Sequence, residues 1–191
     1  MHKSLSRALM PLLGAGLLSG TALASDAEAP EVYGWVEKTL IDPSWGVEVK
    51  AKLDSGALTS SMQAEDIEEF ERDGEDWVRF EVEVEDEESG EIVSHEFERQ
   101  LYRDLTVVGA GGRDHRPVVL MTICMGDERF EEQFSLEDRS DMNYPVLLGR
   151  RTIQSLGHLD VTETFLQSPS CDDDSTLHRH ADKEYEDKIG V

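Results

Sequence analysis

Only two cysteines occur in 191 residues, Cys124 in an apolar strand-like run and Cys171 in a polar tail, so no disulfide framework is indicated. An exported compartment permits a bridge between them, but burial of Cys124 as a small apolar side chain is the simpler expectation. Basic residues are scarce as well: 18 Lys and Arg stand against 42 Asp and Glu, for a formal net charge of −24. Such a chain repels phosphate backbones, and no basic patch with interleaved aromatics offsets the repulsion, which argues against nucleic acid as a partner. The acid is spread along strand-like segments and concentrated between Glu81 and Glu91. A solvated surface suited to a salty medium and a preference for basic peptides both account for it.

The spacings that mark metal and nucleotide sites are missing too. There is no His-Glu-x-x-His helix, no paired-cysteine knuckle and no Gly-x-x-x-x-Gly-Lys-Ser/Thr loop. His95, His115 and His158 are scattered, and His178 and His180 with Asp172 to Asp174 form only a polar tail group, so neither a metal nor a cofactor is expected. A nucleophilic triad lacks support, because Cys124 reads as core and Ser55 has no evident His partner. No long uninterrupted apolar run is present: Ala8 to Leu18 is short and broken by Pro11 and glycines. With Lys3 and Arg7 before it and Ala22-Leu23-Ala24 after it, residues 1–24 read as a signal peptide, an uncleaved anchor being the alternative. The expectation is export to the periplasm with no stable membrane span after cleavage. A polar lead-in, 25–30, then precedes one folded domain, 31–166.

What is present is a run of short strands. In VEVKAKLDSGALTSS, Val47 to Ser61, the residues Val47, Val49, Ala51 and Leu53 share one face while Glu48, Lys50 and Lys52 share the other. Asp54 is thus delivered at a strand end, and Gly56 permits a tight turn after Ser55. Further strands are expected at Tyr33 to Lys38, Trp77 to Glu85, a hairpin partner through Phe97, Leu105 to Val108, Val118 to Met125 and Phe130 to Leu136, with a loose helical turn marked by Met62, Ile67 and Phe70. A strand at Val146 to Leu148 ends in Gly149, a short helix carries Ile153 and Leu156, and a strand resumes at Leu159 and Val161. Beyond about Gln167 the periodicity fails, and residues 167–191 read as a disordered acidic tail. Many short strands with one helix predict an all-β barrel.

The order strand, Asp-Ser-Gly, strands, Leu-Gly-Arg, helix, strand resembles the retropepsins, the single-domain homodimeric aspartic peptidases. The runs KAKLDSGALTSSMQA, WVRFEV, RPVV and MNYPVLLGRRTI resemble more closely a bacterial family of retropepsin-like proteins often labelled ATP-dependent zinc proteases. The resemblance implies a closed acid-protease barrel with one short helix near its C-terminal end, and a peptide or protein substrate. It implies that Asp54 is catalytic, that Ser55 interlocks two such loops across a homodimer, and that Gly56 allows close backbone approach. Leu148, Gly149 and Arg150 would support the active site from below. In the family the arginine pairs with an acid near the catalytic loop; Ala57-Leu58-Thr59 here lacks one, which leaves the partner of Arg150 open. The glycine cluster Gly109, Gly111 and Gly112 lies between two strands where a retropepsin carries its substrate flap, although the acidic hairpin Glu81 to Phe97 lengthens the interval before it. Three readings fit these residues: an exported aspartic endopeptidase, a non-catalytic peptide-binding or scaffold module on the same fold, and a metal-dependent peptidase.

Overall fold

The computed structural model describes residues 30–109 and 112–184. The expected signal peptide, Gly111 of the glycine cluster, and residues 185–191 of the expected tail lie outside the described residues. Twelve strands, one helix and one short 3-10 turn follow in order: β1 Val32–Gly34, β2 Val36–Ile41, β3 Val47–Leu53, β4 Ser60–Gln63, β5 Glu65–Arg72, β6 Glu75–Glu85, β7 Ile92–Gly109, β8 Gly112–Met125, β9 Glu128–Glu137, β10 Val146–Leu148, α1 Arg150–Leu156, β11 His158–Asp160, β12 Leu177–His178 and the turn His180–Asp182. The fold is all-β with one short helix, as the alternation predicts.

Six strands close into a hydrogen-bonded ring, β9-β4-β10-β3-β2-β8, sealed by the antiparallel β8–β9 pair. Their period of two makes the ring a core: Val49, Ala51, Met62, Ile123, Phe134 and Leu148 all point inward and are fully buried. Each side chain of Val to Phe size buried this way contributes about 1.5–3 kcal/mol. The barrel is not a clean one. Beside the ring, β5, β6 and the first half of β7 extend the sheet outward, because β7 changes partner along its length. Residues up to Gln100 pair with β6, and residues from Leu101 pair with β8 across a register shift.

Two local expectations give way. The helical turn at Met62 to Phe70 is replaced by β4 and β5: Met62 is buried in β4, and β5 pairs with β6 across a bulge between Glu65 and Glu68. One extra residue there breaks the period of two and leaves Ile67 and Phe70 at a spacing that mimics a helix. The tail expected to be disordered is placed against the barrel as far as residue 184. Leu177 and His178 form β12 on β9, and Cys171 bonds to Cys124 with an S–S distance of 1.99 Å and a Cα–Cα distance of 5.9 Å. Cys124 is therefore not simply a buried thiol. A bridge across 47 residues stabilises the fold by roughly 4 kcal/mol in the chain-entropy account.

Candidate active site

Asp54 is the first residue after β3, and its placement follows from the two strands beside it. β10 runs parallel to β3 with Leu147 opposite Lys52 and Leu148 opposite Leu53. Where β3 ends, the Asp54 N–H donates to the Leu148 carbonyl at 2.8 Å, extending the ladder by one rung. The side chain then folds back over its own turn. Oδ1 accepts the Gly56 N–H at 2.8 Å, and the Ala57 N–H donates to the Asp54 carbonyl at 3.1 Å. A Cβ on residue 56 would stand 3.0 Å from that same Oδ1, so glycine there leaves the carboxylate room to close the turn.

The helix start braces the turn from below. A Cβ on Gly149 would lie 2.8 Å from the carbonyl carbon and oxygen of Leu58 and the carbonyl carbon of Thr59, so the two backbones touch where only glycine fits. The Arg150 N–H donates to the Ala57 carbonyl at 2.9 Å and the Arg151 N–H to the Leu58 carbonyl at 3.3 Å. Gly149 N–H donates to Ser60 Oγ at 3.0 Å, and Ser60 Oγ lies 2.7 Å from Thr152 Oγ1. Arg150 finds its partner in the turn itself: Nη1 donates to the Ser55 carbonyl at 2.8 Å and to the Gly56 carbonyl at 3.3 Å. Two main-chain oxygens of the turn thus bond to this guanidinium, and no side-chain pattern in the sequence marks such a contact. Leu148, Gly149 and Arg150 therefore all touch or adjoin the Asp54 turn.

Electrostatically the carboxylate is an anion among cations. Lys52 Nζ approaches Asp54 Oδ2 at 3.1 Å, with the Asp54 side chain 26 % exposed. Burial pushes the carboxyl up, but the Lys52 ammonium and the N–H groups of Gly56 and Ala57 outweigh it and hold it below the usual carboxylate range. At the far end of the loop, Arg103 Nη2 and Arg151 Nη1 both donate to Thr59 Oγ1, at 3.1 and 3.4 Å. The alternation that sets Lys52 on the outer face of its strand also brings it alongside Asp54 two residues on, a pairing that the motif Asp-Ser-Gly alone does not display.

Ser55 and Gly56 are exposed at the tip of the turn. Gly109 and Gly112 pair at the end of the β7–β8 hairpin. The hairpin meets the Asp54 loop through Arg103, nearer its base. Among the described residues one group of potential metal ligands converges, Glu69, Asp104 and His115, exposed on β5, β7 and β8 and separate from Asp54. His178 is stacked on Phe130 and paired with Glu128, and His180 is held by Gln133 and Tyr102.

A closed ring of strands with an Asp-Ser-Gly turn after one strand and a Leu-Gly corner beside it is a retropepsin-like fold. The chain belongs to the RimB-like family: the family model described as retropepsin-like aspartic endopeptidase RimB matches residues 32–170. A solved structure, protein Lpg0085 of unknown function from Legionella pneumophila, is 32% identical with a TM-score of 0.60, and the match covers 72% of this chain and 98% of that one. A protein of Shewanella pealeana named probable alpha-L-glutamate ligase is 34% identical over 124 residues, which is 64% of this chain and 27% of that protein. One of the same name from Desulfotalea psychrophila is 30% identical over 108 residues, 55% of this chain and 22% of that protein. The chain thus spans about a quarter of the length of these curated relatives.

Proposed function

We infer that this chain is an aspartic endopeptidase whose catalytic pair is made by two copies of Asp54. The observation that carries the reading is the Asp54 turn: a carboxylate fixed through Oδ1 by its own loop, braced by Gly149 and Arg150, with Ser55 and Gly56 exposed at the tip. With a single Asp-Ser-Gly turn per chain, the second carboxylate comes from a second chain about a two-fold axis. Two such groups a few ångströms apart share one proton. The ionised one takes a proton from water as the oxygen attacks the scissile carbonyl carbon, and the protonated one gives its proton to the carbonyl oxygen. As the resulting diol collapses, the carboxyl that took the water proton gives it to the amide nitrogen, the C–N bond breaks, and the other carboxylate takes a hydroxyl proton from the diol, which returns the pair to its starting state. Ser55 interlocks the two turns. Export to the periplasm is supported by the basic start, the short apolar stretch and Ala22-Leu23-Ala24 of the N-terminal sequence.

The cations about the turn favour acidic peptides over the basic ones that composition alone suggests. Lys52, Arg103, Arg150 and Arg151 all bond to residues 54–59, in a chain of net charge −24. Glutamate-rich peptides are the first to try, because relatives carry the name probable alpha-L-glutamate ligase. A peptide-binding module without hydrolysis is the second reading, favoured by the Lys52–Asp54 ion pair, which opposes sharing of a proton. Cleavage of such peptides, tested with a pepstatin-type inhibitor and with a chelator, separates the readings: inhibition by the first alone supports the aspartic pair, and binding without cleavage supports the module.

A further inference from the structure

Residues 171–184 lie beyond the stretch that the family model matches, yet they are tied to the barrel along their whole length. The disulfide fixes Cys171 to β8. Arg129 on β9 donates to the carbonyls of Asp173 and Ser175, at 3.0 and 2.6 Å. β12 then pairs in parallel with Arg129 and Phe130, and His180 and Lys183 turn inward after it.

Two chains of side chains run from these residues to the Asp54 loop. In the first, Gln133 Nε2 lies 3.1 Å from His180 Nε2, Arg103 Nε donates to Gln133 Oε1 at 2.8 Å, and Arg103 Nη2 reaches Thr59 Oγ1. Arg103 fixes the orientation of the amide: its oxygen faces the guanidinium, so its NH2 donates to the ring and His180 Nε2 must be the acceptor of a neutral imidazole. In the second, the Lys183 ammonium pairs with the carboxylate of Glu132, which is 1% exposed. The Thr152 and Ser155 side chains of α1 lie near enough to that carboxylate to favour its charge, the Ser155 hydroxyl itself donating to the Arg151 carbonyl, and Thr152 meets Ser60 at the end of the loop. The two chains end on adjacent residues, Thr59 and Ser60.

We propose that segment 171–184 is a clamp that positions the Asp54 loop, with His180 acting through Gln133 and Arg103 on Thr59, and Lys183 acting through Glu132 and Thr152 on Ser60. Its catalytic consequence rests on the peptidase reading; the mechanical coupling stands on the contacts alone. His180 and Lys183 are positioning residues, since neither touches the reacting atoms.

Hydrogen–deuterium exchange of the full chain at the Gly56 and Ala57 amides, paired with peptide cleavage, tests this. In His180→Ala, exchange at these amides rises about tenfold while the β6 amides keep wild-type protection, and kcat falls about tenfold with KM within roughly twofold. His180→Gln, which offers an oxygen to the Gln133 amide, restores both. If His180→Ala does not fold, Gln133→Leu keeps the volume of the side chain, breaks the same chain at its middle link and gives the same local pattern. Unchanged exchange at Gly56 and Ala57, or an equal rise throughout the barrel, overturns the clamp whether or not the wild type cuts peptides. A local rise in a chain whose wild type cuts nothing upholds the clamp and defeats the peptidase reading.

Discussion

Gly149 and Leu58 meet backbone to backbone, so closely that a Cβ on the glycine would stand 2.8 Å from the carbonyl carbon and oxygen of Leu58. Neither neighbour is the end of a flexible side chain, so the overlap is relieved only by moving the loop that carries Asp54. Gly149→Ala is expected to destabilise the fold by about 1–3 kcal/mol and to reduce cleavage further than that loss of stability explains. A denaturant melt together with kcat/KM on folded protein checks it.

In the proposed peptidase, Lys52 and Asp54 are expected to set the pH range. The lysine favours the ionised carboxylate, so Asp54 loses its proton below the usual range; Arg139 also acts on Asp54 through charge, and Arg150 sits at the Ser55 and Gly56 carbonyls. Removing the Lys52 charge alone, as Lys52→Gln, favours protonation and moves both limbs of the kcat/KM profile to higher pH. An unmoved profile contradicts this role.

Lys183 and Glu132 form a buried pair in which burial pushes the Glu132 carboxyl up despite the ammonium beside it. Lys183→Met leaves that carboxylate unpaired and is expected to cost about 3–5 kcal/mol at neutral pH. Because the folded chain then holds the Glu132 proton more tightly than the unfolded chain does, the deficit shrinks as pH falls and grows as pH rises through the unfolded carboxyl range. Adding Glu132→Gln should recover most of the loss, measured by thermal melts across pH.

His180 is the site where acid acts on the C-terminal segment. Burial lowers its pKa, helped by Lys183, Arg151 and Arg103 and opposed by Glu131, with Tyr102 and Gln133 against the ring. The unfolded chain therefore takes up this proton first, and the stability held above the ordinary value of 6.5 is lost as pH falls from there through the folded value. Titration of the ring by NMR should give a midpoint below 6.5.

The elements that build the barrel were legible because they are periodic. Val47 to Leu53 alternates without a break, and Val146 to Gly149 ends in the glycine that contact with Leu58 demands. What was hidden lacks periodicity. The bulge in β5 shifts the phase by one residue and imitates a helix at Ile67 and Phe70. Residues 171–184 are held by a disulfide, an arginine on carbonyls and two inward side chains, none of which leaves a hydrophobic pattern. Arg150 bonds to main-chain oxygens of the turn, which every sequence possesses and none displays.

Cleavage of a glutamate-rich peptide by wild type and by Asp54→Asn, at matched protein concentration and with folding checked by circular dichroism, tests the central claim most directly. The wild type is expected to cut with chelator present, and the variant to lose at least about a thousandfold in kcat/KM with its fold intact, the scale of loss seen when one member of a catalytic unit is removed. Undiminished cleavage by Asp54→Asn, or no cleavage by the wild type, contradicts an aspartic peptidase built on this turn.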